Sequence, residues 1–312
     1  MAKRIGLLFG MEDTFPWALI DAVNSRAGEE MVAEPVSVAE IRDDADSAYD
    51  LILDRISHEV PFYRTYLKQA VYRGAQVINN PFWWSADDKF FGCLAARSIG
   101  VAVPRTVLLP HKQHPPNTTA QSYRNLRLID WDDVFRYLGF PLYLKPAHGG
   151  GWKDVYRCED RDAFFAAYDQ TRDLSMMAQE AIDYTEYYRC YVFGRERVRV
   201  MPYDPRQPHS SRYVCDAAPA QPDLHARMIL DALKLCRALG YDMNTVEFAV
   251  RAGVPCAIDF TNCAPDADLN SVGRENFDWA VANMAEVLIE AVRKSRPFEF
   301  TGSWPSLRHL QR

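Results

Sequence analysis

The stretch LKPAHGGGWKDV, residues 144–155, places a positive charge close to three consecutive glycines. Lys145 ends an apolar run, and the glycines at 149–151 follow it directly after a short Pro-Ala-His spacer. Glycine adds no side chain to a core and loses more backbone entropy on folding than any other residue. Successive N–H groups in such a turn form an anion-binding concavity, to which His148 and Lys153 add donors. The stretch predicts a hairpin loop that covers a phosphate group; the alternative is a turn that merely tolerates glycine.

Length, charge and cysteine content narrow the class of protein. The chain has 312 residues, which suits two or three lobes that share clefts. Its net charge of −6 gives no broad positive field, so we expect no nucleic-acid partner. No run approaches the roughly 20 apolar residues of a membrane span, and the N-terminus does not read as a signal peptide, so we expect no membrane partner. Seven scattered cysteines without a Cys-x-x-Cys pair favour free thiols in the cytoplasm.

The order of the predicted elements indicates an α/β protein. Early in the chain, short apolar strands alternate with helices, which predicts a parallel sheet. Gly10 stands alone after the first strand, so the dinucleotide-binding pattern Gly-x-Gly-x-x-Gly is absent. A helix is predicted over 85–98, and later strands form hairpins. We predict three lobes: an N-terminal α/β lobe at 1–85, a central lobe with the glycine-rich loop at 86–183, and a C-terminal lobe at 184–312.

An acid pair is predicted on a hairpin late in the chain. Glu247 lies in the apolar segment TVEFAV, and Asp259 lies in the apolar segment PCAIDF. Counting outwards from the turn near Ala252-Gly253 places the two acids opposite each other, with both carboxylates on one face. Asn262 follows three residues later, and hard oxygen donors of this kind are what Mg²⁺ accepts. The alternative, exposed carboxylates on an outward face, is weakened by the apolar neighbours of both acids.

Two lysines are candidate phosphate ligands. Lys89 follows two aspartates at a helix start, where a positive charge opposes the helix dipole. Lys145 lies at the end of a strand beside the glycines. Each has a structural alternative, since Lys89 would pair with an aspartate and Lys145 would be a solvated strand end. The triple glycine favours a functional role for Lys145.

The order of these motifs resembles the ATP-grasp superfamily. The order is Asp-Lys at a helix start followed by GVAVPRT, Lys-Pro before a glycine-rich hairpin, an apolar strand ending in Gln-Glu, and an acid pair with a nearby Asn. The resemblance extends over essentially the whole chain, and the segment EYYRCYVFGRERV is most similar to peptide- and glutathione-forming carboxylate–amine ligases. It implies an ATP-grasp architecture, with an N-terminal Rossmann-like lobe and two lobes that sandwich ATP.

The resemblance also implies roles for individual residues. Those expected to bind ATP through its phosphates, adenine or ribose are Lys89, Lys145, His148, Gly149, Gly150, Gly151, Lys153, Gln179, Glu180, Ala181, Ile182 and Glu186. The expected magnesium ligands are Glu247, Asp259 and Asn262. Arg189 matches a basic residue turned towards phosphate or the acyl intermediate, and acts with Lys145 as a catalytic residue. Weaker candidates for substrate contact are Arg55, Tyr203 and Arg274.

Two features depart from the family pattern. The second metal segment is Asp-Phe-Thr-Asn, one residue longer than the usual Glu-x-Asn and with a shorter acid. A shorter carboxylate bridges two ions less readily, which leaves one or two metal ions open. Trp152 stands in the glycine-rich loop, where smaller residues are usual, and would alter the closure of that loop.

The resemblance implies an ATP-dependent carboxylate–amine ligase that uses ATP and Mg²⁺. Such an enzyme forms an amide or peptide bond through an acyl phosphate and releases ADP and phosphate. Its partners would be a small-molecule carboxylate and an amine, and a homodimer is the commonest assembly for an enzyme of this size. Two alternatives stay open at this point: an ATP-grasp small-molecule kinase, and a nucleotide-binding regulatory subunit without turnover.

Overall fold

The computed structural model describes residues 2–82, 88–149, 151–214 and 217–294. The strands of this part of the chain are β1 Lys3–Leu8, β2 Met31–Pro35, β3 Leu51–Asp54, β4 Gln76–Ile78, β5 Thr106–Leu109, β6 Leu142–Pro146, β7 Tyr156–Cys158, β8 Met176–Glu180, β9 Glu186–Phe193, β10 Arg197–Pro202, β11 Met243–Arg251 and β12 Val254–Asp259. Its α-helices are α1 Phe15–Ala27, α2 Pro61–Tyr72, α3 Lys89–Ser98, α4 Trp131–Leu138, α5 Arg161–Gln170, α6 Pro222–Leu239, α7 Leu269–Val272 and α8 Arg274–Lys294.

The chain divides into two compact units, each built from separate stretches of sequence. Unit 1 comprises Met1–Trp84, Tyr187–Val246 and Asn262–Arg312. Unit 2 comprises Ser85–Glu186 and Glu247–Thr261. The acid-bearing hairpin therefore belongs to the same unit as Lys89 and Lys145, although it lies far from them in sequence. The division into three lobes at 1–85, 86–183 and 184–312 stays a prediction.

Unit 1 contains the parallel sheet that the alternation of strands and helices predicted. Its strand order is β2-β1-β3-β4, and all three pairings are parallel. The central strands bury Ile5 and Leu51 completely, and α1 buries Leu19 and Val23 in the same core. Strand β2 was not predicted, because its five residues place an exposed apolar side chain, Val32, between the buried Met31 and Ala33, so residue type does not alternate as burial does.

Unit 2 contains an antiparallel sheet with the order β5-β8-β6-β7. Its core is rich in aromatic side chains from α4 and α5, where Phe135 and Phe164 meet with ring centres 5.0 Å apart. The predicted hairpin across the glycines is confirmed, since β6 and β7 pair antiparallel from Leu144 and Tyr156 outwards. The helix predicted over 85–98 begins at Lys89 in the structure, and positions 85–87 lie outside the described residues.

A third sheet has the order β10-β9-β11-β12, and the boundary between the units falls within β11. In unit 1, α6 ends at Leu239, and its C-cap Gly240 has a left-handed φ of 79°, a conformation that favours glycine and stops the helix. Among the described residues, no helix combines the length and the apolar character needed to cross a membrane.

Candidate nucleotide and metal site

The β11–β12 hairpin brings Glu247 and Asp259 together. Its two-residue turn has positive φ at both central positions, 51° at Ala252 and 75° at Gly253, as a tight hairpin turn requires. Glu247 pairs with Asp259 across the two strands, so the predicted pairing is confirmed. Opposite residues project from one face of a sheet, and the two carboxylates therefore face the same side.

This pairing depends on a bulge that the count from the turn did not include. From the turn as far as Phe248, which pairs with Ala257, the ladder would place Ile258 opposite Glu247. The register shifts between Glu247 and Phe248, so Ile258 has no opposite residue and Asp259 takes the next place. A bulge of this kind re-aims side chains and is common beside functional sites. Here it aligns the two acids.

Lys89 meets the acid pair from the start of α3. Asp88 caps this helix by accepting a hydrogen bond from the Phe91 amide at 2.7 Å, which fixes Lys89 in the first turn. The Lys89 ammonium lies 2.9 Å from Asp259 Oδ2. Burial lowers the pKa of Lys89, but the attraction of Asp259 and Glu247 outweighs burial and the pKa is raised. Lys89 therefore remains charged at neutral pH.

Lys145 reaches the bulge from strand β6. It is a buried residue, and its ammonium donates to the Ile258 carbonyl over a long 3.5 Å. Burial lowers the pKa of Lys145, and the nearby Lys89 ammonium lowers it further. The bulge thus directs the Ile258 carbonyl towards Lys145. Lys89, Lys145, Glu247 and Asp259 all belong to unit 2.

The glycine-rich segment between β6 and β7 is exposed and turns through several left-handed positions. Gly149 and Gly151 have φ values of 84° and 75°, and Trp152 and Asp154 also have positive φ. A Cβ at either glycine would meet no atom within 4 Å, so backbone conformation, and not space, calls for glycine here. Gly150, which the sequence analysis placed in this loop, lies outside the described residues.

The other two loop residues expected to bind phosphate, His148 and Lys153, are exposed. His148 precedes the left-handed positions of the segment, and Lys153 lies between two of them, Trp152 and Asp154. A loop of this form can present backbone N–H groups to an anion.

The segment expected to contact adenine, residues 179–182, is held in unit 2 by hydrogen bonds and ion pairs of its side chains. Gln179 is buried and donates to Thr106 Oγ1 at 3.0 Å. The Glu180 carboxylate accepts from Arg105 Nε at 3.0 Å and from Arg251 Nη1 at 2.6 Å. Although burial opposes it, these two guanidinium groups lower the pKa of Glu180 to about 2. No pattern in the sequence signalled Arg105 or Arg251 as its partners.

The backbone of this segment is also engaged. The Ala181 amide donates to the Pro141 carbonyl at 3.3 Å, and Ile182 is buried. Glu186, expected at the ribose, is exposed at the start of β9. The Glu180 N–H likewise donates to the Arg105 carbonyl at 2.9 Å, so an adenine ring would bind through groups of 180–182 other than these two N–H groups.

Unit 1 holds the remaining candidates, and it brings Arg189 and Tyr203 together. Arg189 donates to Tyr213 Oη at 2.9 Å, and its guanidinium carbon lies 5.1 Å from the centre of the Tyr203 ring. Both tyrosines are buried. Tyr213 was missed by the sequence analysis because it lies in a polar stretch without a recognisable motif.

Unit 1 also holds three further candidates, each with partners of its own. Arg55 is buried in an ion pair with Glu12. Arg274 is exposed in the first turn of α8 and pairs with Asp278 at 2.8 Å. The backbone N–H of Asn262 donates to the side-chain oxygen Oδ1 of Asn244 at 2.9 Å.

The donor set of unit 2 suits a hard divalent cation. In the part of the chain that the structure describes, no group of three or more His, Cys, Asp or Glu side chains is arranged to hold a metal ion. Mg²⁺ needs only one or two protein carboxylates, since it completes its shell with water and phosphate oxygens. Glu247 and Asp259 meet that requirement.

Comparisons with known proteins identify the fold. The chain is similar to a D-alanine–D-alanine ligase from Bacillus anthracis solved with ATP, with a TM-score of 0.67, 18% identity, and coverage of 94% of this chain and 98% of that one. It is similar to a RimK domain protein ATP-grasp from Sphaerobacter thermophilus, with a TM-score of 0.65, 18% identity, and coverage of 91% and 99%. The chain therefore has the ATP-grasp fold, as the order of its motifs predicted.

Similarity in sequence is more local. The chain is 30% identical over 122 residues to a D-alanine–D-alanine ligase from Dechloromonas aromatica, which covers 38% of this chain and 35% of that protein. A second such ligase, from Chromohalobacter salexigens, is 38% identical over 60 residues, 19% of each chain. The matched part thus spans about a third or less of these relatives. No model of a known protein family matches the chain.

Proposed function

We propose that this protein is an ATP-dependent carboxylate–amine ligase that forms an amide or peptide bond through an acyl phosphate. The observation that carries the proposal is the gathering of Lys89, Lys145, Glu247 and Asp259 in one unit of an ATP-grasp fold. Two cations beside two acids form a site for an anion and a metal together. MgATP has both of these components.

Lys145 would bind a phosphate group of ATP. A buried ammonium with one long hydrogen bond is poorly compensated, and phosphate oxygens would supply the missing partners. Lys89 would act beside it, since its charge is held in place by Asp259. Glu247 and Asp259 would hold Mg²⁺, which when bound neutralises phosphate charge. The glycine-rich segment, with Gly149 and Gly151, would cover the phosphates and exclude water.

The chemistry follows from this placement. A carboxylate oxygen of the acid attacks the γ-phosphorus, the bond from phosphorus to the ADP oxygen breaks, and ADP leaves. The amine nitrogen then attacks the acyl carbon, the carbon–oxygen bond to phosphate breaks, and the nitrogen loses a proton. Lys145 and Lys89 stabilise charge that develops on the transferred group. Arg189 remains the predicted contact for phosphate or the acyl intermediate.

We infer an amino acid as the carboxylate substrate and an amine, such as a second amino acid, as its partner. Both relatives that match in sequence carry names that refer to D-alanine, and one solved structure with 13% identity is named as a D-Ala:D-Ser ligase from Enterococcus faecalis. Six cysteines of the described chain are free and buried, which supports a cytoplasmic location. The homodimer remains a prediction.

Trapping with hydroxylamine tests the reaction. Purified protein is incubated with MgATP, hydroxylamine and single amino acids, beginning with D-alanine, and both ADP and hydroxamate are measured. We expect equal amounts of both products from one acid, and loss of both in Lys145→Met. The matched control is Lys112→Met, because Lys112 lies in unit 2 but pairs with Asp169 outside the site.

Other outcomes would replace the proposal. ADP formation that depends on a hydroxyl compound and yields no hydroxamate identifies a kinase. Stabilisation by MgATP without any ADP formation, over a broad panel of acids, identifies a nucleotide-binding subunit without turnover.

A further inference from the structure

Arg189 lies on one face of the third sheet, within unit 1. It pairs with Met201 of β10, and Tyr203 follows two residues after Met201. Residues that lie opposite each other, or two apart along one strand, project from the same face. Arg189 and Tyr203 therefore share a face, and the guanidinium carbon of Arg189 lies 5.1 Å from the centre of the Tyr203 ring. The guanidinium thus packs against this ring.

A backbone bridge brings Tyr213 to the same place. The chain leaves β10 and returns through the polar stretch 204–212, so that Tyr213 pairs antiparallel with Tyr203. Next to this pair, the Asp204 N–H donates to the Arg212 carbonyl at 2.8 Å. The stretch is thereby closed into a loop, and its backbone hydrogen bonds determine where Tyr213 lies.

The Tyr213 side chain contacts Arg189 through its hydroxyl and its ring. Arg189 Nη1 donates to Tyr213 Oη at 2.9 Å, a normal length for an N–H donor. The guanidinium carbon lies 5.8 Å from the centre of the Tyr213 ring, and this ring meets that of Tyr203 edge-on with centres 5.1 Å apart. Both tyrosines are buried. Two packed rings and one hydroxyl therefore restrict the positions that the guanidinium can take.

Tyr213 makes this hydrogen bond as a neutral group. Burial raises the pKa of Tyr213 above its ordinary value, although the charge of Arg189 acts in the opposite direction. The hydroxyl therefore stays protonated at neutral pH. A carboxylate in the same place would form an ion pair, as Glu12 does with Arg55. A neutral acceptor orients a guanidinium without forming an ion pair with it.

We propose that Tyr213 is a positioning residue of the ligase reaction, whose hydroxyl holds the Arg189 guanidinium where it contacts the phosphate or the acyl intermediate. This inference rests on the proposed function, in which Arg189 makes that contact. It also gives the polar stretch 204–212 a role, because this stretch determines where the Tyr213 hydroxyl lies.

The test separates turnover from substrate binding in Tyr213→Phe, which keeps the ring and removes only the hydroxyl. Hydroxamate formation is measured with MgATP, hydroxylamine and the first amino acid, beginning with D-alanine, that the wild type accepts. We expect kcat to fall by about tenfold or more and KM for the acid to change by less than about threefold, because a misplaced guanidinium stabilises the transition state less. Stabilisation by MgATP should persist, because Lys145 and the acid pair bind the nucleotide.

A double variant shows whether the hydroxyl acts through Arg189. Arg189→Met should lower kcat by itself, and adding Tyr213→Phe should lower it no further, because no guanidinium is left to position. The matched control is Tyr168→Phe, because Tyr168 is a buried tyrosine of unit 2 whose hydroxyl donates to the Pro110 carbonyl at 2.6 Å. It should lose stability, as any buried tyrosine that loses a hydrogen bond does, and keep the wild-type kcat.

The outcomes separate this inference from the proposed function. An unchanged kcat in Tyr213→Phe, or equal falls in Tyr213→Phe and Tyr168→Phe, would overturn the role of Tyr213 alone. A further fall in the double variant would also overturn it, since Tyr213 would then act apart from Arg189. An unchanged kcat in Arg189→Met would overturn the roles of both residues and leave the ligase reaction standing. A wild type that forms no hydroxamate from any acid of the panel would overturn the proposed function and this inference together.

Discussion

Arg55 in unit 1 and Lys145 in unit 2 are both buried cations, but the chain satisfies only one of them. The Arg55 guanidinium donates to the Glu12 carboxylate through Nε at 3.0 Å and to the Pro265 carbonyl at 2.7 Å. Burial lowers the pKa of Arg55, but Glu12 outweighs burial and the pKa is raised. The Glu12 carboxylate and the Pro265 carbonyl thus stabilise the charged form against the effect of burial.

Lys145 has the opposite environment. Its hydrogen bond to the Ile258 carbonyl is 3.5 Å long, beyond the usual range for an N–H donor, and burial and the nearby Lys89 ammonium lower its pKa. The difference between Arg55 and Lys145 distinguishes a buried cation with a structural role from one with a functional role. A buried cation that donates to a carboxylate and a carbonyl is part of the fold, whereas a buried cation whose hydrogen bond is a long one to a carbonyl, with the acids Asp259 and Glu247 nearby, has donors left for a ligand.

Replacing Arg55 should give the largest loss of stability. Arg55→Met leaves the Glu12 carboxylate without its cation and should lower the free energy of unfolding by about 3 kcal/mol, measured by urea denaturation. Arg55→Met combined with Glu12→Gln should recover part of that loss. A loss below about 1 kcal/mol would show that the pair is not structural, and would favour the predicted substrate contact for Arg55.

Replacing Lys145 should affect function and not stability. Lys145→Met removes a poorly paired buried charge, so the free energy of unfolding should stay equal or rise. Acid-dependent ADP formation should fall by about 10²–10³-fold, as expected for the loss of one charge-stabilising donor. If Lys145→Met unfolded as readily as Arg55→Met, the contrast between the two cations would fail.

The pH dependence of stability at Glu180 provides a test with a smaller expected effect. Its pKa of about 2 lies below the ordinary value of 4.5, so its stabilising effect is complete above pH 4.5 and is lost as pH falls towards 2. Because Arg105 and Arg251 are half exposed, we expect Glu180→Gln to lower the free energy of unfolding by about 1–2 kcal/mol at pH 7. The difference from the wild type should vanish near pH 2.

The matched control for Glu180 is Glu159→Gln. Glu159 also pairs with an arginine of unit 2, Arg157, but both side chains are exposed. Its replacement should change stability by no more than about 0.5 kcal/mol at any pH. If Glu180→Gln and Glu159→Gln changed stability equally, partial burial of the Glu180 cluster could not be the reason for its contribution to stability.

The sequence predicted those parts of the fold that local patterns determine. The parallel sheet of unit 1 followed from alternating strands and helices, and the β6–β7 hairpin followed from its glycines. Strand β2 was missed, because tertiary packing and not local pattern buries Met31. That the β11–β12 hairpin belongs to unit 2 could not be predicted from the sequence, because contacts between residues distant in sequence determine it.

The site was predictable where residue type alone is informative. Glu247 and Asp259 were found as acids in apolar strands, yet the bulge at Ile258 that aligns them has no sequence signal. The Arg105–Glu180 pairing likewise depends on three-dimensional packing. The roles of these residues towards ATP and Mg²⁺ remain predictions.

The most direct measurement is the stabilisation by MgATP of the wild type, Lys145→Met and Arg55→Met, each followed by thermal unfolding. At about 100 times its dissociation constant, a ligand adds roughly 2.7 kcal/mol to the stability of the form that binds it. We predict a gain of this size in the wild type, the same gain in Arg55→Met despite its lower starting stability, and almost none in Lys145→Met. An equal gain in the wild type and Lys145→Met would contradict the claim that the under-paired lysine binds the nucleotide.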